Sequence, residues 1–207
     1  MNKNLLIGLG VAVLILLAVF FIFKGSNNRD VANYPPKEGP IIALGDSLVA
    51  GTGATEGNDF VSILSKKIGE PIENLGVPGN TTADALLRVD GAVQKSPRIV
   101  ILLLGGNDFL RKVPRDNTFT NLKNIIAKFQ NNGAIVILLG VRTGLIFDGS
   151  AANFEDLARN TGSAYVPDVL DGLFGYPKYM SDEIHPNDAG YAIVAGKVYP
   201  VLRKLLR

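Results

Sequence analysis

Cysteine and tryptophan are absent from this 207-residue chain, and histidine occurs once, as His185. Without cysteine there is no disulfide framework, thiolate zinc site, iron–sulfur cluster or cysteine nucleophile, and no lipid anchor attached through that residue. A single histidine excludes two-histidine metal motifs such as HExxH. Any imidazole chemistry must therefore run through His185. A basic block is also missing. From Pro40 onward 17 Lys+Arg face 17 Asp+Glu, so the net charge of +2 comes from the first 39 residues, and nucleic-acid binding is not expected. No GxxxxGK[ST] phosphate loop occurs, and Gly51-Thr52-Gly53 lacks a correctly spaced third glycine for a dinucleotide. Asp46, Asp108 and Asp182 show no metal-ligand spacing, so they are expected to serve as hydrogen-bonding groups. No cofactor and no metal are expected.

What is present begins with a long apolar run. Leu5 to Phe23 forms 19 uncharged residues, LLIGLGVAVLILLAVFFIF. At ~1.5 Å per residue this is roughly 28 Å of helix, about the thickness of a bilayer core. A cleaved export signal has a shorter apolar stretch and ends at small residues, whereas this run leaves through Phe21-Ile22-Phe23-Lys24. Residues 1–23 are therefore read as an uncleaved transmembrane signal anchor. Residues 24–39, KGSNNRDVANYPPKEG, have the composition of a polar tether, which leaves 40–207 as the folded domain. Charges flanking the run do not decide its orientation.

In 40–207 short apolar runs alternate with amphipathic ones, the pattern of a parallel sheet with crossover helices in a three-layer α/β/α sandwich. The strand candidates are Ile41–Leu44, Ile72–Leu75, Ile99–Leu104, Ala134–Leu139 and Ala164–Val166. IVILLL and AIVILL are apolar throughout, as in strands covered on both faces. Helix candidates carry Phe60, Leu64 and Ile68 behind a cap at Asn58, then the stripe Phe119, Leu122, Ile125, Ile126 and Phe129. A last helix after Pro186-Asn187-Asp188 should bury Ile193, Val194, Val198 and Leu202. Sites in such sheets lie at the carboxyl ends of strands. There the chain reads Gly45-Asp46-Ser47-Leu48, then Gly76-Val77-Pro78-Gly79-Asn80-Thr81, then Gly105-Gly106-Asn107-Asp108. Asp182-Glu183-Ile184-His185-Pro186 precedes the last helix.

A serine hydroxyl needs a base, a histidine base needs a carboxylate to hold its tautomer, and acyl transfer needs oxyanion donors. Ser47, His185 and Asp182 supply the first three. The Ser47 N–H, the Gly79 N–H and the Asn107 amide are donor candidates, with Gly76 a competing glycine. Each cluster alone could be an ordinary turn or helix start; together, at predicted strand ends, they are specific. Ser47 is not in a GxSxG elbow, so the α/β-hydrolase fold is not indicated.

The blocks GDSL (45–48), NLGVPGNTT (74–82), LGGNDFLR (104–111) and SDEIHPNDAGY (181–191) resemble those of the SGNH hydrolases, or GDSL esterase/lipase family. The likeness is to its bacterial thioesterase I/lysophospholipase L1/arylesterase branch. It implies a flavodoxin-like sandwich with a five-stranded parallel sheet, here preceded by one N-terminal transmembrane helix. It also implies Ser47 as nucleophile, His185 as base, Asp182 as its orienting partner, and Ser47, Gly79 and Asn107 as the oxyanion hole.

The expected activity is hydrolysis of carboxylic esters or thioesters of small acyl esters or lysolipids through an acyl-enzyme. Leu145, Ile146 and Phe147, after the fourth strand, are candidates for an acyl-chain groove. One alternative is an O-acetyl deacetylase of cell-surface polysaccharide or peptidoglycan; another is a catalytically silent, membrane-anchored binding module. A monomer is expected. Because relatives of this branch are mostly exported, the resemblance places the domain in the periplasm or outside the cell.

Overall fold

A computed structural model describes residues 31–141 and 150–207. The predicted anchor, Leu5–Phe23, and the groove candidates Leu145, Ile146 and Phe147 lie outside the described residues. Among those described, no helix is long and apolar enough to cross a membrane.

Five parallel strands form one sheet: β1 (Ile41–Gly45), β2 (Ile72–Gly76), β3 (Ile99–Leu103), β4 (Ile135–Leu139) and β5 (Ala164–Val166), in the order β2-β1-β3-β4-β5. This matches the predicted strands to within a residue at each end. Every residue of β1, β3 and β4 is buried, because helices cover both faces. Edge strand β2 buries only Ile72 fully.

The long helices are α2 (Phe60–Ile68), α3 (Thr82–Val93), α5 (Arg115–Asn131), α6 (Ser150–Thr161) and α7 (Asp188–Leu205). Two short ones open directly on strand ends, α1 (Ser47–Ala50) and α4 (Gly106–Leu110). Helices α2 and α7 pack together as one layer, and α3, α5 and α6 pack as the other. The split is what the right-handed rule for parallel crossovers requires, since the chain moves one way from β1 to β2 and the other way thereafter.

Four details differ from expectation. The cap of α2 is Asp59, whose carboxylate accepts from Ser62 N, rather than Asn58. Ile193 is only partly buried, while Val194, Val198 and Leu202 are fully so. Two crossover helices lie where none was marked. For α3 the signal is a Thr81–Asp84 capping box ahead of Ala85, Val89 and Ala92; for α6 it is Phe154, Leu157 and Ala158 at helical spacing. Finally, residues 31–34, read as part of the tether, pack against the folded domain. Val31 and Tyr34 pack on the core, Ala32 N donates to Gly162 O at 2.8 Å, and the Asn33 amide reaches Ala134 O at 2.9 Å. Composition alone gave this stretch a tether's polarity and hid its two apolar contacts.

Register sets the position of the site. Gly45 pairs with Gly76 on one side and Leu103 on the other, so the segments after β1, β2 and β3 start level with one another. Gly76 is required for that closeness, because a Cβ there would lie 2.2 Å from Ala50 N and 2.7 Å from Ala50 Cα. Gly76→Ala should therefore push α1 off β2 and cost about 1–3 kcal/mol in a urea melt, as overpacking does. Wild-type stability in that variant would show that α1 yields freely.

Candidate active site

Ser47 opens α1 immediately after β1. Its neighbour Asp46 caps that helix, accepting from Leu48 N at 3.0 Å, and is only 2% exposed. Across the sheet edge, His185 Nε2 lies 3.0 Å from Ser47 Oγ. His185 Nδ1 lies 2.7 Å from Asp182 Oδ2, and Asp182 Oδ1 accepts from the backbone N–H of Ile184 at 2.8 Å and of His185 at 2.7 Å. Ser47, His185 and Asp182, the first and last separated by 135 residues, thus form one continuous chain.

A loop with its own internal bonds carries the histidine. Ser181 N donates to His185 O at 2.9 Å, and Asn187 N to Tyr179 O at 2.9 Å. Asn187 then caps α7 through Gly190 N. From the opposite side, Asp188 accepts from Thr55 N at 2.7 Å and Thr55 Oγ1 at 2.6 Å, and Tyr191 Oη donates to Thr52 O at 2.8 Å. The loop after α1 and the histidine loop are thereby tied together. Gly53 explains the Gly51-Thr52-Gly53 run: a Cβ at 53 would lie 2.6 Å from Pro186 O and against Ser181. Gly53 thus serves the close approach of two loops.

The other two blocks meet behind the serine. Asn107 Nδ2 donates to Asn80 O at 3.0 Å and, more weakly, to Asp46 Oδ2 at 3.4 Å. Asp108, 1% exposed, accepts from Thr82 N at 2.8 Å and Thr82 Oγ1 at 2.5 Å, fastening α4 to the start of α3. Gly79 and Gly76 behave differently. The Gly76 N–H donates to Asn74 Oδ1 at 2.9 Å, whereas the Gly79 and Ser47 N–H groups have no protein acceptor among the described residues. Two arginines hold this turn: Arg111 donates to Gly79 O at 2.8 Å, and Arg88 donates to Asn80 Oδ1 at 2.7 Å. Neither Arg88 nor Thr82 was singled out from sequence. Arg88 lies two turns into a helix that had not been recognised.

Environment moves two carboxylates in opposite directions. The hydrogen bond from His185, with the Ile184 N–H, holds Asp182 down to about 2, so it stays ionised through the neutral range. Burial pushes Asp46 up to about 6, against the Leu48 N–H bond that favours its charge.

A groove opens over Ser47 and His185. Its lining is apolar apart from the reacting edge, with Leu48, Phe109, Leu110, Val141, Leu170 and Phe174 among the walls. Phe109 (47% exposed), Leu110 (56%), Phe174 (38%) and Ile184 (42%) leave large apolar surface at its mouth.

A five-stranded parallel α/β sandwich with a Ser–His–Asp chain across its strand ends is the setting of a hydrolase. The GDSL-like lipase/acylhydrolase family model matches residues 43–193, and the chain belongs to that family. It is an ester-hydrolysing enzyme. It is 28% identical to Esterase TesA of Pseudomonas aeruginosa over 178 residues, covering 80% of this chain and 89% of that one. It is 26% identical to the Thioesterase 1/protease 1/lysophospholipase L1 of Escherichia coli K12, covering 80% and 84%. Among solved structures, a crystal structure of TesA superposes with a TM-score of 0.76 at 28% identity, covering 81% of this chain and 99% of that one. Esterase EstA from Pseudoalteromonas, in a structure inhibited by monoethylphosphonate, gives 0.73 at 25% identity, covering 82% and 99%.

Asp46 makes a testable pH signature. Its pKa rises from 3.8 to about 6 on folding, so the folded protein keeps this proton longer than the unfolded chain. The resulting stability is present below pH 4 and is lost as pH rises through 6. Between pH 4 and pH 7, wild type should lose on the order of 2–3 kcal/mol relative to Asp46→Asn in paired urea melts. Parallel profiles for the two proteins would show that Asp46 titrates as an ordinary surface carboxylate.

Proposed function

We propose that this protein is a serine hydrolase that cleaves carboxylic ester or thioester bonds of acyl esters or lysolipids through an acyl-enzyme. The observation that carries this reading is the unbroken Ser47–His185–Asp182 chain at 3.0 and 2.7 Å. In it, Asp182 holds the Nδ1 proton and leaves Nε2 to accept the Ser47 proton. Ser47 Oγ attacks the acyl carbon, and the carbonyl oxygen becomes an oxyanion. His185 returns the proton to the departing alcohol or thiol. Water then repeats the sequence, releasing the acid and restoring the Ser47 hydroxyl.

The oxyanion site is formed by the Ser47 N–H, the Gly79 N–H and the Asn107 amide. The first two have no other acceptor among the described residues. Asn107 has one firm bond to Asn80 O and one long, weak contact to Asp46, so its second amide hydrogen is the one weakly enough held to serve an oxyanion. Gly76 is not a donor in this reading, since its N–H is held by Asn74.

The apolar groove favours an acyl chain over an acetylated glycan, because a sugar brings hydroxyls that Phe109, Leu110 and Phe174 cannot pair. The intact relay argues against a silent binding module. Leu5–Phe23 anchors the enzyme at a membrane, with the catalytic domain on the periplasmic or extracellular side, close to lipid substrates.

A fluorophosphonate should label wild type and fail to label Ser47→Ala, and His185→Ala should lose on the order of 10³-fold or more in kcat. Full activity in either variant overturns the assignment. Nitrophenyl octanoate should be turned over with a higher kcat/KM than the acetate; a preference for acetate or for acetylated glycan would favour the deacetylase. Protease added to spheroplasts, with any outer envelope removed, should digest the catalytic domain. Protection of that domain under those conditions would place it in the cytoplasm.

A further inference from the structure

We propose that Arg88 is a positioning residue for this reaction: its guanidinium locks the strand end that carries Ser47 to the turn that carries the oxyanion donors. The inference rests on the serine-hydrolase reading above. Arg88 donates through Nη2 to Gly45 O at 2.9 Å, through Nη1 to Leu75 O at 3.0 Å, and through Nε to Asn80 Oδ1 at 2.7 Å. These acceptors are the last carbonyl of β1, the next-to-last carbonyl of β2, and the side chain that follows Gly79. Gly45 O also accepts from Val77 N at 3.0 Å, so two donors fix the peptide that leads into Asp46 and Ser47. On its other side, Asn80 accepts from Asn107 through its backbone oxygen. One guanidinium therefore connects the backbone before the nucleophile with the Gly79–Asn80 turn and, one bond further, with the Asn107 amide.

This arrangement is costly for the cation. Its partners are neutral oxygens, and among the described residues no carboxylate lies within ion-pair distance of it. Burial lowers its affinity for the proton. The side chain also reaches back toward the amino end of its own helix, the end at which the macrodipole disfavours positive charge. Asp84, four residues earlier on the same helix, gives its carboxylate to the Thr81 N–H and hydroxyl instead. A neutral side chain would avoid all three costs. Only a rigid planar fork can meet oxygens from β1, β2 and the turn simultaneously, and lysine's single ammonium cannot reproduce it. What the fork secures is distance, and a displacement of ~1 Å between reacting groups costs on the order of 100-fold in rate.

The test uses the full chain in detergent and compares wild type, Arg88→Lys, Arg88→Met and Arg88→Ala, with Ser47→Ala as the reference for the underlying reading. Rates of nitrophenyl butyrate hydrolysis are divided by the concentration of sites labelled at the fluorophosphonate end point, so unfolded protein does not count. All three Arg88 variants should show kcat per labelled site lowered on the order of 10- to 100-fold, with KM within about threefold of wild type. The labelling rate should fall in step, since phosphonylation develops charge at the same donors. Ethylguanidinium should restore at least about fivefold of the Arg88→Ala rate, and ethylammonium should not. If the variants label to a lower end point but each labelled site turns over as in wild type, Arg88 is a stability element only and the proposal falls. If Arg88→Met does not fold, Arg88→Lys decides the question: wild-type kcat in that variant overturns the role of the fork. Activity persisting in Ser47→Ala would instead sink the serine-hydrolase reading, whatever the Arg88 variants do.

Discussion

Burial of the sheet on both faces is the constraint from which the rest of the molecule follows. Every side chain of β1, β3 and β4 points into apolar packing, so a polar group within these strands would lose water without finding a partner. Polar chemistry is therefore pushed to the strand ends. Parallel pairing then puts all the carboxyl ends on one edge, and the alignment of Gly45 with Gly76 and Leu103 makes three of them level. Residues remote in sequence arrive within hydrogen-bonding distance because the strands preceding them are in register.

The polar edge is organised as a network in which few groups act alone. Asp46 caps the helix that presents Ser47 and also faces the Asn107 amide. Asp108, next to Asn107, takes two hydrogen bonds from Thr82 and so ties α4 to α3. Asp188, next to the cap of α7, draws the loop after α1 toward the histidine loop. In each case a carboxylate beside a site residue or a helix cap holds a neighbouring element, so the side chains at this edge inherit the rigidity of the sheet.

Electrostatic differentiation comes from solvent access. Asp182 sits on an exposed loop, where the imidazole and backbone N–H groups favour its charge. Asp46 sits beneath the serine, where desolvation opposes charge. One type of side chain thus supplies an ionised carboxylate against His185 and, beneath the serine, an acid whose pKa burial raises to about 6. The apolar groove above Ser47 extends this low-dielectric region outward over the serine hydroxyl.

Much of this was legible in the primary structure. Continuous apolar runs such as IVILLL dictated buried parallel strands, and GDSL, GNTT, GGND and DEIHPN stood at their ends because no other position in such a sheet tolerates them. His185 was identified as the only possible imidazole by count alone. The helix from Thr82 was missed because its amino-terminal residues read as a loop block, and Arg88 was missed with it. The docking of residues 31–39 was hidden by their polar composition. What tertiary structure alone decided is which groups are committed. The Gly76 N–H is held by Asn74 while that of Gly79 has no acceptor among the described residues, and Arg88 spends three donors on backbone and amide oxygens instead of pairing with Asp84. Sequence supplies the residue types and their periodicity, which are local properties. A hydrogen bond depends on distances of a few tenths of an ångström between strands brought together only by packing, and no local pattern encodes those.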